Sequence, residues 1–147
     1  MRETYRTRSE EETVALGEKL AARLPPQSLT LLIGGLGAGK TTIAKGIVKG
    51  LGAAEPSDVS SPTFTLIHEY GDPPAVYHVD LYRLDESSEL ESLGLDELLD
   101  REAVVLVEWG DKFPGYWPEE RFEIELRRVD GEEREIEFRK LPEAAAG

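Results

Sequence analysis

The sequence predicts an α/β fold: a P-loop NTPase-like domain whose mixed sheet is flanked by helices and closed by a C-terminal β-hairpin. Three observations carry this. Two short, wholly apolar or nearly apolar runs, LTLLI at 29–33 and VVLV at 104–107, have the length and composition of strands buried on both faces. Segments with helical spacing of apolar residues interleave with them. Near the C-terminus, 122–126 and 136–138 alternate apolar with charged residues on either side of Asp130-Gly131, the pattern of a hairpin.

In chain order, Ser9 followed three residues later by Glu12 is a capping box. Val14, Leu16, Leu20, Ala21 and Leu24 then recur at helical spacing until Pro25-Pro26 ends the helix. After the strand at 29–33, a helix is predicted over 41–51 with Ile43, Ala44, Ile47, Val48 and Leu51 inward and Gly52 as its C-terminal stop. Strands are predicted at 63–70 and 76–81, joined by the turn Gly71-Asp72-Pro73-Pro74. A polar helix is expected from about Glu86 to Leu99, ahead of the strand that ends in Glu108. There is no internal repeat, and the tail 142–147 is expected to be flexible.

Composition narrows the functional classes. At 147 residues the chain suits one domain, 1–147, and is too short for two ordinary ones. With 39% hydrophobic and 32% charged residues it reads as a globular, water-soluble chain. No apolar run reaches membrane-spanning length, the N-terminal MRETYRTRSEEE lacks the apolar core of a signal peptide, and there is no cysteine. A cytoplasmic protein without membrane contact is expected. The net charge of −13 repels nucleic acid unless a basic patch overcomes it, and Arg121, Arg127, Arg128, Arg134 and Arg139 are interspersed with at least as many acids. Unaided RNA binding is therefore disfavoured.

Four glycines within six positions, then a lysine, give the chemistry. Residues 34–41, GGLGAGKT, satisfy G-x-x-x-x-G-K-[ST] between a buried strand and a helix. Such a loop wraps its amides around an anion, and the following helix adds its positive dipole end. Gly35, Leu36, Gly37, Ala38, Gly39, Lys40, Thr41 and Thr42 are the expected nucleotide-binding residues, with Lys40 bridging the β and γ phosphates and Thr41 ligating Mg²⁺. Hydrolysis needs carboxylates as well. Glu108 ends an apolar strand where ligands of such sheets bind, and is a candidate Mg²⁺ ligand and catalytic group. Asp80 is the second candidate, lying by alternation on the face of His78 and opposite Val79 and Leu81. His68 and His78 read as packing or surface residues, because no metal-spaced cluster accompanies them. Trp109 and Trp117 read as core or rim, with Trp109 able to wall the site. No [NT]-K-x-D guanine loop is present, so ATP/ADP is the default nucleotide.

The ordered set GGLGAGKTT (34–42), SPTFTLIHEY (61–70), VYHVDLYRL (76–84) and LVEW (106–109), with TVALGEKLA (13–21) ahead of it, resembles the TsaE family of bacterial ATPases of tRNA threonylcarbamoyladenosine biosynthesis. The resemblance implies that Thr41 and Glu108 hold Mg²⁺, that hydrolysis needs Asp80, that Ser61-Pro62-Thr63 lies on a switch-like loop, and that Trp109 flanks the site. It implies action with TsaB and TsaD, with tRNA reached only through that complex. One departure stands out: Gly35 occupies the place of an acid in the family's usual G-D-L-G-A-G-K-T loop. Two other readings compete: a small-molecule or nucleoside kinase, which needs a lid that no inserted segment supplies, and a non-catalytic nucleotide-gated module. No arginine is marked by sequence as a finger; Arg83 and Arg134 are candidates that read more naturally as surface or salt-bridge residues.

Overall fold

A computed structural model of the chain describes residues 1–62 and 66–143. Its centre is a seven-stranded mixed sheet in the order β1-β7-β6-β2-β5-β4-β3, comprising β1 (Arg2–Thr7), β2 (Ser28–Ile33), β3 (Ile67–Tyr70), β4 (Val76–Asp80), β5 (Val104–Glu108), β6 (Arg121–Asp130) and β7 (Glu133–Leu141). Strands β4, β5, β2 and β6 run parallel, while β1, β7 and β3 pair antiparallel with their neighbours. The two strands predicted to be buried, β2 and β5, are inner ones: Leu29 to Leu32 of β2 and every residue of β5 are buried, as is every residue of β4 between β5 and β3.

Helix α1 (Glu10–Ala21) is capped as its sequence predicts, the Ser9 hydroxyl accepting from the Glu12 amide at 3.1 Å while the Glu12 carboxylate reaches back to the Arg8 amide at 3.0 Å. It packs with α2 (Lys40–Gly50) on one sheet face, enclosing Leu20, Ile43, Ile47, Leu106, Ile124 and Phe138. The approach is backbone to backbone: a Cβ on Gly46 would lie 2.0 Å from the Val14 carbonyl oxygen. On the other face α3 (Ser88–Ser92) and α4 (Leu95–Leu99) bury Leu90, Leu95 and Leu98 against Leu29, Leu31, Val105 and Val107.

Two expectations change, and two terminal segments gain detail. The helix predicted from Glu86 to Leu99 is two short helices, broken at Gly94, whose φ of 75° is left-handed and cannot continue a right-handed turn. The strand predicted from residue 63 begins at Ile67, after Leu66 at φ 71°; residues 63–65 lie outside the described residues. The N-terminal segment, read only for its lack of a leader, is the edge strand β1, paired with β7 from Arg2↔Arg139 to Thr7↔Arg134. Of the tail expected to be flexible, Glu143 accepts a hydrogen bond from Arg2, and 144–147 lie outside the described residues. Among the described residues no helix is long and apolar enough to cross a membrane.

Candidate functional site

The C-terminal edge of β2 delivers the chain into the glycine loop, and the loop delivers it into α2. Gly39 takes φ 104° as the residue before the helix, a conformation side chains resist, and the first turn of α2 that follows, Lys40 to Thr42, lines a cleft of about 400 Å³. Residues Leu36 to Thr42 line this cleft, together with Ser61, Asp80, Glu108 and Trp109. Gly35 does not line it, and a Cβ there would meet nothing within 4 Å, so the family's acid would fit without steric cost.

The parallel register brings the two predicted carboxylates together. Asp80 and Glu108 are Cα partners at the ends of adjacent strands, both nearly fully buried. The Thr41 hydroxyl donates to Glu108 Oε2 at 3.0 Å, closing the gap between helix and sheet. Asp80 accepts from the Tyr82 amide at 2.8 Å and from the Ser61 hydroxyl at 3.0 Å, which ties the 60–62 segment to the site. A hydroxyl and a carboxylate converging on one point are hard oxygen donors, the type Mg²⁺ takes. Among the described residues no cluster of three or more His, Cys, Asp or Glu could hold a metal alone. That donor set fits an ion completed by substrate phosphates and water rather than one held in a protein cage.

Lys40 is 5% exposed, and its ammonium donates to the Gly34 carbonyl at 2.7 Å and lies 3.3 Å from the centre of the Trp109 ring. Burial pulls its pKa below the ordinary lysine value, partly opposed by Glu108, Asp111 and Asp80. Trp109 holds φ 66°, unusual for a bulky residue. Its ring packs on Tyr82 at 5.1 Å between centroids, so the aromatic pair walls one side of the cleft.

Two residues read from sequence as structural belong to the site. His78 is fully buried, with Nε2 2.6 Å from Glu108 Oε2; strand alternation already put it on the Asp80 face, but only the register shows which carboxylate it meets. Arg134, at the start of β7, donates from Nε to the Ala38 carbonyl at 3.0 Å and from Nη2 to the Gly37 carbonyl at 3.1 Å. It reaches the loop from 96 residues away in sequence, and no local signal marks it. His68, by contrast, pairs edge-on with Tyr70 outside the cleft, and Trp117 is a core residue whose indole donates to the Gly110 carbonyl. Of the five basic residues interspersed with acids, three are paired with them, Arg121 with Glu123, Arg127 with Glu135, and Arg139 with Glu123 and Glu125, while Arg128 donates to the Gly131 carbonyl.

Comparison with known proteins agrees with the motif order. The family described as "Threonylcarbamoyl adenosine biosynthesis protein TsaE" matches residues 7–136. The tRNA threonylcarbamoyladenosine biosynthesis protein TsaE of Bacillus subtilis is 44% identical over 135 residues, covering 91% of this chain and 83% of that one. Its namesake from Rickettsia bellii is 38% identical over 127 residues, covering 86% of this chain and 87% of that one. The crystal structure of the Bacillus subtilis protein YdiB superposes with a TM-score of 0.77 at 38% identity, covering 96% of this chain and 86% of that chain. A family match over most of the length, carried by a chain whose P-loop, Asp80 and Glu108 meet in one cleft, shows that this protein belongs to the TsaE family.

Proposed function

We propose that this chain binds ATP with Mg²⁺ in the P-loop cleft and hydrolyses it in support of threonylcarbamoyladenosine modification, at position 37, of tRNAs that read ANN codons. TsaB and TsaD would be its working partners. The observation that carries the ATPase part is the hydrogen bond from Thr41 to Glu108 in the cleft that Lys40 also lines. The tRNA pathway rests on kinship: relatives covering most of the chain are named for that biosynthesis.

In this reading the amides of 37–42 cradle the phosphates, and Lys40 exchanges the Gly34 carbonyl and the Trp109 ring for the β and γ phosphate oxygens. Thr41 and Glu108 would hold Mg²⁺, which when bound neutralises phosphate charge. Asp80, paired with Glu108 on the adjacent strand and bonded to Ser61, would supply the second carboxylate that hydrolysis needs. Arg134 is committed to carbonyls of the loop, so it does not serve as a finger on the γ phosphate. An arginine finger is worth roughly 10³–10⁵ in rate to enzymes of this class, so the isolated chain should be slow. A protein of net charge −13 would reach tRNA only through its partners, in the cytoplasm where tRNA is modified.

Phosphate release from ATP, measured with and without a TsaB–TsaD complex, tests the reading. Weak release alone and clear stimulation by the complex, diminishing as salt is added, is expected. Fast turnover indifferent to the partners would point to an independent ATPase or a kinase. Binding without hydrolysis under any condition would leave a nucleotide-gated module.

A further inference from the structure

The imidazole of His78 is fully buried on β4, on the sheet face where Val76 and Leu106 lie beside Asp80 and Glu108, and burying a polar ring there has a cost that an aliphatic side chain would avoid. Its one hydrogen bond among the described residues runs from Nε2 to Glu108 Oε2 at 2.6 Å, and Nδ1 has no partner. This pattern selects the tautomer with hydrogen on Nε2. A bare lone pair at Nδ1 is tolerated in an interior more readily than a bare N–H.

Glu108 therefore receives two donors on the same oxygen, one from β4 and one from the first turn of α2, the Thr41 hydroxyl at 3.0 Å. Oε1 accepts no hydrogen bond from the described residues. A glutamate at a strand end has three rotatable bonds, and a single bond to a threonine hydroxyl would leave the carboxylate free to pivot about it. Two donors from different elements fix its plane. We propose that His78 is a positioning residue, holding Glu108 in its metal-ligating orientation before the metal arrives, with Oε1 the oxygen left available. This rests on Glu108 being a Mg²⁺ ligand, as proposed above. A neighbour that donates to a metal-ligating group sets the direction of its lone pairs, and its loss commonly costs 10- to 100-fold in metal affinity.

His78→Gln and His78→Met are matched in length and differ in the N–H donor, so they separate hydrogen bonding from packing. Binding of the β,γ-imido analogue of ATP is measured by calorimetry in EDTA and across a Mg²⁺ titration, with thermal melting alongside. For the methionine variant we expect analogue affinity in EDTA within twofold of the parent. The Mg²⁺ concentration at half of the metal-dependent gain should rise about 10- to 100-fold, and glutamine should restore it to within a few-fold. In a Glu108→Ala background the methionine change should add nothing to the metal dependence, because no carboxylate remains to be oriented. An unchanged Mg²⁺ midpoint in His78→Met overturns the proposal, as does an equal loss in EDTA and in Mg²⁺. It also falls if neither variant folds while Glu108→Ala does, since the imidazole then serves the core. If the parent itself shows no metal dependence, the assignment of Glu108 fails first, and the two failures are told apart.

Discussion

Replacing Arg134 with alanine should weaken nucleotide binding without touching any group that meets the phosphates. The C=O and N–H of a trans peptide point in opposite directions. By drawing the carbonyls of Gly37 and Ala38 outward, at 3.1 and 3.0 Å, the guanidinium aims the amides of Ala38 and Gly39 toward the loop interior. The Ala38 amide already lies inward, bonded to the Gly35 carbonyl at 3.2 Å. Bonds from a charged donor are worth about 1.5–3 kcal/mol each when shielded, and this half-buried arginine warrants a lower value, about 1 kcal/mol apiece. If the binding-competent loop must be re-formed without them, the loss is about 2 kcal/mol, or about 30-fold in Kd. Arg134→Lys should recover only part, because an ammonium lacks the planar fork that spans two carbonyls. Calorimetry with ADP and Mg²⁺ reads the effect, and melting curves check that the hairpin stays folded. An alanine variant within twofold of the parent would show that the loop holds its own shape, and would refute the bracing role.

Lys40→Ala should abolish tight ADP binding with the fold intact. The pH dependence follows from the same lysine: burial lowers its pKa and phosphate raises it again, so binding takes up a proton, and affinity should fall as pH rises through the lowered value, short of 10.5. For the protein without nucleotide the sign reverses: the unfolded chain holds that proton more tightly, so this lysine's contribution to stability rises with pH across the same window, and melting at several alkaline pH values reads it. Glu108→Ala and Asp80→Ala should each keep ADP binding in EDTA but lose Mg²⁺-dependent phosphate release; partner-stimulated turnover at the parental rate would remove that residue from the chemistry. Gly46→Ala places a Cβ 2.0 Å from the Val14 carbonyl oxygen, so α1 and α2 must separate, and a loss of about 3 kcal/mol or more is expected in urea unfolding. A change under about 1 kcal/mol would mean that the helices can part freely.

The parts of the fold legible in sequence are those whose signal is local. The runs at β2 and β5 announce strands buried on both faces because their apolar residues are nearly continuous, with Thr30 the one interruption before Glu108, and Ser9 with Glu12 announces α1 because the cap lies within one turn. Strand β1 carries little local signal because its alternation is weak, Glu3 and Tyr5 sharing one face with only Thr7 buried; it becomes a strand by pairing with β7 near the other end of the chain. The break at Gly94 was legible in principle. A lone glycine in a helical pattern can be accommodated at modest cost, and only its left-handed φ of 75° shows that the chain turns there.

The site divides the same way, and the division has a physical reason. A phosphate-binding loop needs glycines, a lysine and a hydroxyl at fixed spacing along one stretch of chain, so its ligand-facing ends can be read in order. The groups that hold those ends in place have no such constraint. Glu108 is set by His78 from the next strand and by Thr41 from α2, and the loop's carbonyls are set by Arg134 from the hairpin; each pairing exists only through sheet register. The reactive groups already have partners within the chain: Lys40 on Gly34 and Trp109, Thr41 on Glu108, Ser61 on Asp80. Binding must therefore exchange these contacts rather than fill bare valences, and only the surplus appears as affinity. Under the function proposed above, exchange of this kind would let a partner surface that favours one set of contacts over the other set the nucleotide state of the cleft.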